Sequence, residues 1–132
     1  MKKESSLTKD FILHPNLVTE LLEQVEKAQV VLVHCQCTAF EYEMKVRVWS
    51  STYLVDKGSS VRSRLLHAEN ISIAPEWTVM PELTTLKFLL VFESLPIGCE
   101  SFDLFEESPL TCGFYVKNIR RNRDDIYHVR IL

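Results

Sequence analysis

The stretch that most narrows the fold runs from Lys87 to Glu106, KFLLVFESLPIGCESFDLFE. Its first part, Phe88-Leu89-Leu90-Val91-Phe92, is apolar at every position. A strand with one face in water alternates apolar with polar residues; this run does not, so both of its faces require cover and it belongs inside a sheet. Pro96-Ile97-Gly98 then breaks the chain direction, and a second short run, Phe102-Asp103-Leu104-Phe105, follows. Two strands joined by a corner set the class of fold.

The rest of the chain continues the pattern. From Val30 the apolar period is two: Val31, Val33, Cys35, Cys37 and Ala39 share one face, and Leu32, His34, Gln36 and Thr38 the other. Alternation resumes in the opposite parity with Phe40, Tyr42, Met44, Val46 and Val48, a slip that predicts a bulge or bend at Ala39-Phe40. Asp56-Lys57-Gly58-Ser59-Ser60 is a hairpin loop between Thr52–Val55 and the region of Arg64-Leu65-Leu66. Asn70–Ile73, Leu86–Phe92, Ser101–Phe105, Phe114–Ile119 and Ile126–Ile131 are further strand candidates. Short strands separated by turn signals predict a sandwich or barrel. The predicted core is Val31, Val33, Val46, Val48, Leu54, Leu65, Phe88, Leu90, Phe92, Leu104 and Val116.

Residues 1–15 are predicted to form a mobile N-terminal segment, and 16–132 a single domain. Within the latter, Leu17, Val18, Leu21, Leu22, Val25 and Ala28 fall on one helical face, which locally favours an amphipathic helix over Asn16–Ala28. At 132 residues, with 46% hydrophobic and 25% charged residues, the chain can bury roughly two thirds of its unfolded surface without a metal or disulfide. A formal net charge of -3 argues against nucleic acid as a partner. No run approaches the ~18 apolar residues of a membrane span. Met1-Lys2-Lys3 has the basic start of a signal peptide but no apolar stretch after it, so a cytoplasmic location is expected, with export of a longer precursor left open.

The chain resembles a family of small bacterial β-sandwich modules of immunoglobulin-like topology, found alone or ahead of thioredoxin-like domains. The resembling pieces are Ser51–Asp56 (STYLVD), Ala68–Ile71 (AENI) with Trp77 and Pro81 after it, Phe88–Pro96 (FLLVFESLP), Phe102–Glu106 (FDLFE) and Phe114–Ile119. The resemblance implies an all-β, two-layer antiparallel β-sandwich, and a hairpin turning near Lys27-Ala28 in place of the local helix. It carries no catalytic residue over to this chain.

Candidate chemistry is sparse. Cys35-x-Cys37 is closer than the two to four intervening residues usual for zinc, and both cysteines share the core face with Val31 and Val33, so they read as core thiols. Cys99 and Cys112, both near turns, make the better disulfide candidate. Asp103 is expected to face solvent. No Gly-x-Ser-x-Gly elbow and no glycine-rich phosphate loop is present, with Gly58, Gly98 and Gly113 the only glycines. No cofactor or metal is expected.

Two groups of residues are candidate binding sites. Arg120, Arg121 and Arg123 form the one basic run, followed at once by Asp124-Asp125. Trp49 falls on a charged face with Lys45 and Arg47, and arginine interleaved with exposed aromatics favours partner binding. The expected function is a non-catalytic interaction module that binds a protein partner or forms a homodimer. The alternative, a domain for a small anionic or carbohydrate ligand, requires Arg62, Arg64, Arg120 or Arg121 to converge with an exposed Trp or Tyr in one hollow.

Overall fold

The computed structural model describes residues 29–106 and 114–131. The segment Asn16–Ala28, residues 1–15 and Cys112 lie outside them. Nine strands are present among the described residues: β1 (Val31–Ala39), β2 (Met44–Val46), β3 (Tyr53–Asp56), β4 (Arg62–Glu69), β5 (Thr78–Met80), β6 (Thr84–Phe92), β7 (Ser101–Phe105), β8 (Tyr115–Arg120) and β9 (Ile126–Arg130). The described fold is all-β. No helix long and apolar enough to cross a membrane is present among the described residues.

Seven strands form one sheet in the order β8-β7-β3-β4-β6-β1-β9, and β2 pairs with β5 in a small second sheet. The apolar run Phe88–Phe92, the C-terminal part of β6, sits between β4 and β1 and is buried on both faces. That is the placement its composition demands. Phe88, Leu90 and Phe92 face the core, where Val31, Val33, Cys35 and Cys37 of β1 meet them; Leu89, Val91 and Leu32 are equally buried on the other face.

Pairing is antiparallel between named strands except at β1–β9, which run parallel with Leu32 opposite Ile126 and Gln36 opposite Arg130. The sheet is therefore mixed: it is mainly antiparallel, as the sequence leads one to expect, with one parallel pair at its β1–β9 edge. A parallel pair needs a long crossover, and here everything between β1 and β9 serves as one. The sheet curls until it is nearly closed into a barrel. Across its interior the Phe102 ring of β7 meets the Tyr127 ring of β9 edge-on, 4.9 Å apart, and Phe88 of β6 lies 6.0 Å from Phe114.

The parity slip at Ala39-Phe40 is the bend, not the bulge, of the two that the sequence allows. β1 ends at Ala39, a four-residue loop of Phe40–Glu43 follows, and the chain resumes in the other sheet. Met44, Val46, Val48 and Met80 close the core from that side. Of the predicted core, Val46, Leu65 and Val116 are partly buried against the cluster and the others lie within it.

Asp103 is the clearest departure. It is 4% exposed, because the register between β7 and β8 shifts between Phe102 and Leu104. Asn118 of β8 adopts φ 58° at this irregularity, and its N–H donates to Asp103 Oδ1 at 2.8 Å, while Lys57 Nζ lies 3.4 Å from Oδ2. A bulge leaves backbone N–H groups without a ladder partner; a carboxylate beside it supplies the acceptor.

Candidate interaction surface

Alternation along Met44–Val48 puts Lys45 and Arg47 on the side away from the core, and Trp49 follows them. The Arg47 guanidinium carbon lies 3.7 Å from the centroid of Trp77 and 4.9 Å from that of Trp49, and Nη1 donates to the Pro75 carbonyl at 2.9 Å. Arg47 and Trp49 thus meet, as their spacing predicts, with Trp77 as a third member. The stacking commits the guanidinium faces to the chain's own indoles.

Behind this cluster sits Glu106, 6% exposed. Its Oε2 accepts from the Trp49 N–H at 3.0 Å and its Oε1 from the Phe114 N–H at 3.3 Å. Burial raises its pKa, and the two N–H donors oppose that rise. The carboxylate ties the Trp49 turn to the end of β7 and the start of β8, a structural duty.

The arginine run divides. Arg121 Nε and Nη2 each donate to a different Asp125 carboxylate oxygen at 3.2 Å, and Nη1 donates to the Pro96 carbonyl. Tyr127 donates to Asp125 Oδ1 at 2.8 Å, and Asn122 binds the backbone of both Asp125 and Ile126. Arg121 is spent on holding this turn, whereas Arg120 and Arg123 face solvent. Arg120 and Arg121 line a shallow hollow of about 800 Å³ with Cys99, Ser101, Asn118 and Asn122. Arg62 and Arg64 line a separate one of about 740 Å³ with Tyr53. The four arginines do not converge.

Cys35, Cys37 and Cys99 are buried free thiols. Burial raises all three, Cys99 to about 11, so none is a thiolate at neutral pH. Among the described residues no group of three or more His, Cys, Asp or Glu is placed to hold a metal ion.

The outer face of β4-β3-β7-β8 carries an arrangement that the sequence did not announce. Tyr53 of β3 pairs in register with Phe105 of β7, and Phe105 with Tyr115 of β8. Leu54 and Leu104, one position away, point into the core, so the three rings point out. Tyr53 and Phe105 lie 5.5 Å apart, and Phe105 and Tyr115 5.1 Å apart with planes at 82°. A cation stands at each end: Arg62 is 4.2 Å from the Tyr53 centroid, and Lys117 Nζ 5.0 Å from that of Tyr115. Neither makes an ion pair with a described residue, in contrast to the neighbouring Arg64, which Glu93 holds through both oxygens at 3.2 Å. The row crosses three strands, so no local window of sequence contains it. The available signal was parity: Phe105 lies one residue from core-facing Leu104 and is an aromatic pointing outward.

No family model, curated protein or solved structure matches this chain.

Proposed function

We propose that this chain is a non-catalytic interaction module, an immunoglobulin-like β-sandwich of the kind its sequence resembles, which docks a protein partner or another copy of itself on the outer face of β4-β3-β7-β8. The two-layer reading draws support from the packing of β7 on β9 across the core, with the opposed walls of the curled sheet acting as the layers. The observation that carries the functional reading is the row Tyr53–Phe105–Tyr115 with Arg62 and Lys117 at its ends. Rings held by one another have little rotamer freedom left to lose, and Tyr and Arg are the residues that dominate interface energetics. Tyr115 is 51% exposed, so the row is open to a partner.

A face of this make-up favours a partial match: apolar contact in the middle and carboxylates at either end. An array of synthetic peptides that combine aromatic or aliphatic residues with Asp and Glu, probed with wild type and with Tyr115→Ala and Arg62→Ala variants, tests it. Binding by wild type that both variants weaken about tenfold supports the reading. Binding that neither variant alters removes the row from it.

A second reading keeps one specific observation: Arg62, Arg64 and Tyr53 share a hollow with Ser50, Ser51 and Thr52. A small anion there would meet Arg62 first, since Arg64 is engaged by Glu93.

A further inference from the structure

Between β1 and β2 the chain reads Phe40-Glu41-Tyr42-Glu43. Phe40 is 64% and Tyr42 71% exposed, and both carboxylates are exposed and make no ion pair with a described residue. Large aromatics left in water are costly and mark contact surfaces when they cluster. Among the described residues this is the segment in which two exposed aromatics alternate with two carboxylates. Such a segment is the chemical complement of an aromatic row ended by Arg62 and Lys117.

We infer that the partner seated on the Tyr53–Phe105–Tyr115 row is a second copy of this chain, through its Phe40–Glu43 loop. The inference rests on the row being a docking face and adds the identity of what docks. The loop is not seated on its own molecule's row, since its rings stand in solvent. In the assembly Phe40 and Tyr42 pack on the three rings, while Glu41 and Glu43 approach Arg62 and Lys117. Two such contacts related by a two-fold axis close a dimer; contacts that fail to close run on as a head-to-tail series. In either case the mass exceeds the 15.4 kDa of the monomer and falls with dilution. Because the ends of the row are ionic and solvent-accessible, association weakens as salt rises.

Sedimentation velocity over a range of concentrations tests this with two variants, Phe40→Ala/Tyr42→Ala in the loop and Tyr115→Ala/Lys117→Glu in the row. A urea midpoint close to wild type confirms that each is folded. Each variant alone is expected to weaken self-association about tenfold or more, and an equimolar mixture of the two to recover it in part, since each supplies the surface the other lacks. A wild-type chain that stays monomeric at every concentration overturns the inference, while the peptide array still judges the row. Loss of association in the row variant but not in the loop variant also overturns it, leaving the row as a docking face for another part of the second copy. Association that neither variant changes removes both.

Discussion

His34 of β1 and His128 of β9 sit opposite each other in the parallel register and stack, with ring centroids 4.6 Å apart and planes inclined by 19°. One ring is buried and the other exposed. Burial, and then the positive charge that His128 carries when protonated, lowers the pKa of His34 from 6.5 to about 3. The folded value lies below the unfolded one, so the unfolded chain takes up this proton first. The stability His34 contributes by staying neutral is full above about pH 6.5 and is lost as the pH falls toward 3.

This sets an acid limb above the range in which carboxylates titrate. Between pH 7 and pH 5 the free energy of unfolding is expected to fall by about 1–2 kcal/mol through this group. Glu106, whose pKa is raised, acts in the opposite sense, since its protonated form is favoured in the fold. Urea unfolding as a function of pH, for wild type and His34→Gln, separates the two: the substitution should flatten the slope from pH 7 to 5. An unchanged slope would show that His34 is not its source.

Replacing Glu106 by Gln keeps the shape and turns one of its oxygens into a donor facing a backbone N–H. The Trp49 or Phe114 N–H would then lack its acceptor in a buried place. The expected cost is about 1–3 kcal/mol in urea unfolding, accompanied by a change in Trp49 fluorescence. Loss of stability without a spectral change would place the effect elsewhere.

Leu83 adopts φ 59° in the turn before β6 and is 80% exposed. A branched side chain in the left-handed region is strained, and this one has no burial to offset it. Leu83→Asn is expected to stabilise the chain by about 0.5–1 kcal/mol, raising the thermal midpoint by about 2–4 °C. A lower midpoint would mean that Leu83 makes contacts that outweigh its backbone conformation.

Asp125→Ala removes the partner of Arg121, whose side chain is only 20% exposed, and the acceptor for the Tyr127 hydroxyl. A cost of about 2–3 kcal/mol is expected from the stranded cation and hydroxyl. Arg123→Ala, two residues away and exposed, should change unfolding by no more than about 0.5 kcal/mol. Equal costs for the two would contradict the division of the arginine run into structural and free members.

How much of this was legible in the sequence varies with the range of the interaction. The expected strands Ser101–Phe105 and Ile126–Ile131 match β7 to the residue and β9 to within one, because alternation over five or six positions is a local signal that a pleated backbone converts directly into two faces. The Arg47–Trp49 pairing was legible for the same reason. β5 carries no such signal: Thr78–Met80 is three residues long, too short to show a period, and it is a strand because β2 lies beside it.

Local pattern is enough to establish that the chain is built of strands, that Phe88–Phe92 is an interior strand, and which face of each long strand enters the core. Period and polarity are properties of consecutive residues, and water acts on them wherever the chain happens to be. Long-range packing alone sets β9 parallel to β1 and buries Asp103 beside a bulge. It alone placed Tyr53, Phe105 and Tyr115, drawn from three strands, in one row. Each of these depends on the register between strands distant in sequence, which is fixed by the packing of the whole core and is written in no single segment.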